Sequence, residues 1–285
     1  MANLKEIRNR ISSIGSTMQI TSAMKMVSAA KLKKATDTIT AMRPYSEKLT
    51  ELIQNISASL EGDNSGVYSQ ERDVKNVLLV VVTSNRGLCG GFNANIIKQV
   101  NVLKKEYESA NVDLLTIGKK GHDVLRKSFN VIDNKSDLFD HLDFENSAVI
   151  AQVLMDAFVE EKYDSIQIVY NQFKNAATQI VVTEQFLPLL PVETSGNASS
   201  DYIYEPSKEE IIDTLIPLSL KTQLFKAVAD SVASEHGARM TAMHKATDNA
   251  KELRDDLKLS YNKARQAAIT NEILEIVGGA EALNN

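Results

Sequence analysis

The sequence predicts an α/β protein in two parts: a long antiparallel two-helix coiled coil made by the N- and C-terminal segments, and a central α/β domain. Three observations predict it. Residues 4–60 place apolar side chains at helical spacing and contain one glycine, Gly15, and one proline, Pro44. Beyond Pro217 a second helical pattern runs to Val277, with Gly237 its only glycine. Between the two ends the texture changes to short β-branched runs separated by turn residues and amphipathic helices. The expected boundaries are 1–60 for the first coil helix, 61–206 for the α/β domain and 207–285 for the second coil helix.

The first helix opens on Leu4, Ile7, Ile11, Ile14 and Met18, a three-four alternation, and resumes with Ala35, Ile39, Met42, Leu49, Ile53, Ile56 and Leu60. Between these runs Ile20, Ala23, Val27 and Ala30 keep the spacing on a rotated stripe, so a stutter or a change of contacting partner is expected there. At about 1.5 Å per residue the helix is roughly 85 Å long, more than a compact domain can hide.

The second helix is expected to start at Pro206 and Ser207 followed by Glu210, the S-x-x-E pattern of a capping box. Pro217 is expected to kink or restart it. Ala246, Ala250, Leu253, Leu257, Ala264 and Ala268 form a seam whose small residues face the bulky Ile and Met of the first helix. Gly278 and Gly279 are expected to loosen its end.

In the middle segment Asn76–Val82 (NVLLVVV) is a near-continuous apolar run and reads as a buried strand. Val112–Ile117 and Ser165–Tyr170 read as two more, and Thr178–Thr183 as a fourth at an edge. Helical patterns at about 93–108, 119–128 and 146–161 make the sheet largely parallel. Polar loops at 61–73 and 193–201 mark the boundaries.

Pairing the two ends gives an asymmetry. If the α/β domain pins residue 60 near residue 207, residue 1 lies opposite about residue 265, and about 20 residues of the second helix lack a partner in this chain. That overhang carries Ile269, Ile273, Ile276, Ala280 and Leu283. Water disfavours a bare apolar stripe, so another protein is expected to surround it.

Composition excludes several classes. Hydrophobic residues make up 43% and charged residues 24%, and no apolar run approaches the roughly 20 residues of a membrane span. MANLKEIRNRI enters helical pattern directly, so neither an export signal nor an organelle presequence is expected. The single cysteine, Cys89, cannot form an internal disulfide, and it falls short of a zinc set. The net charge of −5 is uneven: residues 1–34 hold Lys5, Arg8, Arg10, Lys25, Lys31, Lys33 and Lys34 against Glu6. A basic helix can face nucleic acid, anionic lipid or acidic protein loops, or simply be solvated.

The feature nearest to an enzyme site is Arg86–Asn93 (RGLCGGFN), which follows a strand and opens a helix, where α/β folds bind phosphates. It lacks G-x-G-x-x-G and the Lys-Ser/Thr pair of a phosphate loop, and the next strand ends in TIGKKG without an acidic ribose ligand. A tight turn without ligand is the preferred reading, with Cys89 a small buried thiol. His122, His141, His236 and His244 show no metal-binding spacing, and no carboxylate pair stands out for acid/base work. No catalytic site is expected.

Three stretches resemble the gamma subunit of bacterial F-type ATP synthases: Ile7–Ala35 (IRNRISSIGSTMQITSAMKMVSAAKLKKA), Ser84–Ile96 (SNRGLCGGFNANI), and ARMTAMHKATDNA at 238–250 with YNKARQAAITNEILEIVGGAEAL at 261–283. The resemblance implies a coiled coil beside a Rossmann-like domain without nucleotide. It implies a central shaft, one copy per complex, turning inside a hexamer of alpha and beta subunits, with its lower part on epsilon and the membrane c-ring. The function implied is coupling of proton flow to ATP synthesis or hydrolysis. ATP, ADP and magnesium would bind the alpha and beta subunits, leaving this chain without cofactor or catalytic residue. The place implied is the cytoplasmic face of a bacterial inner membrane, held peripherally.

Residue by residue, the resemblance puts Met24 and Lys25 against an acidic beta-subunit loop, with Arg239, Met243, Thr247 and Asp248 near that level on the partner helix. Arg265, Gln266, Thr270 and Glu272 would catch beta-subunit loops near the tip, beside the apolar Ile273 and Ile276. Two rival readings are a basic coiled-coil scaffold for nucleic acid or membrane surface, and a dinucleotide-dependent α/β enzyme with helical extensions. Salt-dependent DNA binding marks the first and saturable NAD or ATP binding the second.

Overall fold

A computed structural model describes residues 4–58, 67–70, 72–189 and 208–283. In chain order they form α1 (Leu4–Ala58), β1 (Asn76–Val82), α2 (Phe92–Glu106), β2 (Asn111–Ile117), α3 (Lys119–Leu125), β3 (Asn130–Asn134), α4 (Phe144–Val159), β4 (Ser165–Phe173), β5 (Gln179–Leu187) and α5 (Lys208–Leu283). Short 3-10 turns occupy Val67–Ser69 and Ser136–Phe139. The chain divides into two compact units, Met1–Ser28 with Met240–Asn285, and Ala29–Arg239.

In the larger unit the strand order is β3-β2-β1-β4-β5. β1 pairs in parallel with β2 and β4, β2 with β3, and the β4–β5 hairpin adds an antiparallel edge. Alternation along β1 sorts its residues between two cores. Leu78, Val80 and Val82 face a core with α4 residues Leu154 and Phe158 and α5 residues Leu220 and Leu224. Val77, Leu79 and Val81 face one with Ile96, Val100 and Leu103 of α2. Both sheet faces are covered, which is why β1 tolerates no polar alternation.

Within this unit α5 is buried almost all round, from Ile216 to Arg239. Ala229 and Ala233 pack on Ile39 of α1. Gly237 meets the β4–β5 turn so closely that an added Cβ would lie 3.2 Å from Ala176 Cα. Pro217 sits inside α5 without restarting it. Proline removes one backbone donor, and the flanking Ile216 and Leu220 are anchored in the core.

In the smaller unit α1 and α5 form the antiparallel pair. The Thr21 and Thr247 hydroxyl oxygens lie 2.8 Å apart, and Arg254 Nη1 reaches Met18 Sδ at 3.9 Å. The sheltered positions on α1 include Leu4, Ile7, Ile11, Ile14, Met18, Thr21, Lys25 and Ser28, with Gly15, Ser22 and Met24 half-buried beside them. This corrects the expected stutter: the three-four spacing never breaks, and Ile20 and Val27 stand 60% and 57% exposed. Hydroxyls replace apolar groups in the seam because they are satisfied locally, Ser28 Oγ donating to Met24 O at 2.8 Å and Thr21 Oγ1 to Met18 O at 3.1 Å.

The α5 seam also differs from expectation. Leu253 and Ala268 are exposed, while Arg254 and Tyr261 join Ala246, Ala250, Leu257 and Ala264 at the sheltered positions. Gly278 and Gly279 do not loosen the end, since α5 continues through both to Leu283. Each costs about 1 kcal/mol relative to alanine, which neighbouring helix formers absorb. Pro206, Ser207, Leu60 and most of the two boundary loops lie outside the described residues.

Candidate partner interface

Overhang is the first feature of the site. With Thr21 level with Thr247, equal rise sets Leu4 level with about residue 264. Among the residues of α5 whose burial is described, Ala264 is the last half-buried one, and every residue from Arg265 to Ala280 is exposed. Ile273, Leu274, Ile276 and Val277 are 54–65% exposed. Arg265, Gln266 and Glu272 alternate with them, and Thr270 turns its hydroxyl back onto Gln266 O at 2.9 Å. The tip offers apolar area with interspersed polar hooks.

Lower on the same unit, Met24 and Lys25 are half-buried on α1 beside the exposed Ile20, Met26 and Val27. On α5, Met243 is 5% exposed and so packs inward. Thr247 is held by Thr21 and donates to Met243 O at 2.8 Å. Asp248 faces outward, 3.3 Å from His244 Nδ1. Of the three expected α5 residues at this level, Met243 is buried, Thr247 half-buried and Asp248 exposed.

Arg239 belongs to the larger unit and is 7% exposed. Its Nη1 pairs with Glu235 one turn back, and its Nη2 donates to Arg86 O at 3.0 Å and Gly87 O at 3.3 Å. The spacing Glu235–Arg239 is a helical i,i+4 pair, legible in sequence; the reach to a loop about 150 residues away is not. Burial raises the Glu235 carboxyl above its ordinary range, opposed by the Arg239, Lys31 and Arg86 charges. His236 is pushed down to about 4 by burial, with Arg239 and Lys31 adding repulsion.

The Arg86–Gly91 loop thus offers carbonyl oxygens to a cation, the opposite polarity to the N–H cradle of a phosphate loop. Ser84 N donates to Asn93 Oδ1 at 3.0 Å and Ser84 Oγ to Arg86 O at 2.7 Å, while Asn171 Nδ2 donates to Phe92 O at 3.3 Å. Cys89 is 2% exposed against Phe92 and Ala238, and burial pushes its thiol up. Leu88 takes φ 63° and Gly90 φ 61°. A left-handed leucine costs about 1–2 kcal/mol, so the surrounding bonds hold the turn against its preference. Gly118 is fixed by space as well as φ, since a Cβ there would lie 2.2 Å from Thr83 O.

Among the described residues no group of His, Cys, Asp and Glu is placed to hold a metal ion, and no helix is long and apolar enough to cross a membrane.

A family model described as ATP synthase matches residues 3–283. An ATP synthase gamma chain from Flavobacterium psychrophilum is 70% identical over 284 residues, covering 99% of each chain. The chain belongs to the ATP synthase gamma chain family. A second relative, the ATP synthase gamma chain of Christiangramia forsetii, is 64% identical over the full length of both. The central stalk and c-ring of Tetrahymena thermophila mitochondrial ATP synthase, seen by cryo-EM, contains a chain 28% identical, with TM-score 0.58, over 80% of this chain and 99% of that one. A chain of the Euglena gracilis mitochondrial OSCP/F1/c-ring structure shares the fold, with TM-score 0.72 at 22% identity over 98% and 94%. Membership of the gamma family makes this a central-stalk rotor subunit of bacterial type. The scaffold reading finds no support, because the match runs through Arg86–Asn93 as well as the coil.

Proposed function

We propose that this gamma-family chain turns as a shaft inside a hexamer of alpha and beta subunits, coupling proton flow to ATP synthesis or hydrolysis without catalysing either step. Segments 1–60 and 207–285 serve as the shaft, and 61–206 as the body that meets epsilon and the c-ring. One copy works per complex, held peripherally at the cytoplasmic face of the membrane. ATP and magnesium belong to the hexamer, and this chain carries no cofactor.

The observation that carries the proposal is the overhang, an apolar helix end from Ile269 to Val277 with no cover among the described residues. A ring of partner subunits supplies that cover, and Arg265, Gln266, Thr270 and Glu272 then engage loops of the ring. Met24, Lys25, Thr247 and Asp248 form the lower contact level, while Met243 supports it from inside. Coupling requires that each orientation contact the three catalytic sites unequally, since a shaft touching all conformers alike biases none. The two helix faces, unlike in charge and apolar content, provide that inequality.

The test is whether the chain co-purifies with an alpha/beta hexamer and restores proton-coupled ATPase activity to it. Failure to associate, or association without pumping, removes the proposal.

A further inference from the structure

Arg239 sits where three elements converge. Its own helix supplies Glu235, the loop after β1 supplies the carbonyls of Arg86 and Gly87, and Lys31 of α1 and Arg86 add charge around the Glu235 carboxylate. The side chains of Arg239 and Glu235 are 9% and 12% exposed. A guanidinium so enclosed, with three acceptors in reach, is shaped by its own chain rather than by solvent.

The loop it grips holds a non-glycine residue in the left-handed region, Leu88, beside Gly90, also at positive φ. Arg86 O accepts from Ser84 Oγ as well as from Arg239, so the same carbonyl ties the strand end and the helix together. Phe92 and Cys89, at either side of the glycines, lie against Ala238. The loop is thereby fastened to α5 by ionic, hydrogen-bonded and apolar contacts within a few residues.

We propose that the Arg239–Glu235 pair is a positioning latch that clamps the β1–α2 loop to α5, so that rotation imposed on the α/β body passes into the helix without slip. The latch rests on the rotor reading above. It assigns Arg239 a role inside the chain, in place of a direct grip on a beta subunit. Glu235 orients the guanidinium; the two carbonyls receive it. Removing either side chain frees the loop while leaving the sheet and its cores in place.

The experiment has two arms, each on Arg239→Met, Glu235→Gln and the double variant. In the first, hydrogen–deuterium exchange of the full-length chain is followed at residues 87–91. In the second, each chain is reconstituted with alpha, beta, epsilon and the membrane sector, and protons pumped are measured per ATP hydrolysed. Loop exchange is expected to rise at least tenfold and the pumping ratio to fall at least twofold in all three. The double variant removes the unpaired charge, so it keeps the fold while the loop stays unlatched. Unchanged loop exchange overturns the latch. So does a loosened loop with a full pumping ratio. A ratio lowered by Arg239→Met but not by Glu235→Gln would instead give Arg239 a direct partner contact. The exchange arm needs no partner, so a wild-type chain that fails to join the hexamer counts against the rotor reading alone.

Discussion

Two stretches of the same helix obey opposite rules. Between Ile216 and Arg239, α5 buries polar groups together with apolar ones: Thr222, Asp230, Ser231 and Ser234 are all under 3% exposed. Between Arg265 and Ala280, nothing is buried, and isoleucine, leucine and valine face outward. Propensity does not distinguish them, since both are alanine-rich and helical throughout. The first stretch is held by its own chain from several sides, whereas the second stands exposed. A helix of one secondary structure can thus be core in one part and interface in another, and only the partner's presence tells which.

Four measurements break or sharpen the contrast. The largest effect is expected in the buried stretch: Leu224→Ala, at a fully buried position, should destabilise the isolated chain by about 3 kcal/mol in denaturant unfolding. A loss under 1 kcal/mol would mean that α5 is not core there.

Acid should act on the same stretch. His236 titrates near 4 when folded against 6.5 unfolded, so the native state binds fewer protons. Its contribution is present above pH 6.5 and is lost as pH falls toward 4, by at most about 3 kcal/mol. Glu235, with its carboxyl raised, has the opposite sign: its contribution is present in acid and is lost as pH rises through its folded pKa. His236→Gln should therefore flatten the decline between pH 6.5 and 4, and an unaltered slope would show that another group sets it.

The pair of hydroxyls in the coil comes next. Thr21→Ala removes the Thr247 contact from a 9% exposed site and should cost about 1 kcal/mol, read as a lower Tm. The smallest change should come at the tip. Ile273→Ser should alter the stability of the isolated chain by less than about 0.5 kcal/mol, yet weaken capture by an alpha/beta hexamer. Equal binding by the variant would leave the exposed stripe without a role.

Sequence pattern and structure agree best where burial is simplest. β1 occupies the predicted Asn76–Val82, because a strand covered on both faces must be apolar throughout. β5 lies at the edge as expected, though it extends to Leu187, whose side chain and that of Phe186 enter the core. β3 was not foreseen: NVIDN is short, mostly exposed and half polar, and what makes it a strand is pairing with β2. The overhang was legible because it follows from helix rise and chain length alone.

The middle of the α1 seam was not, although Leu4, Ile7, Ile11, Ile14 and Met18 shelter as expected. Counting apolar residues shifts the stripe toward Ile20 and Val27, whereas the contact face keeps Thr21 and Ser28, whose hydroxyls bond to carbonyls in their own helix. Hydropathy cannot see that satisfaction. The position of Arg239 was equally hidden, since its acceptors are main-chain oxygens and every residue has one.

The bare tip also bears on how the subunit must be supplied. Apolar ends exposed on separate copies are complementary to one another, so a chain made in excess of its ring is prone to self-association through Ile269–Val277. On the rotor proposal, synthesis in step with the hexamer subunits would keep the tip occupied. Matched supply is then a condition for solubility as well as for stoichiometry.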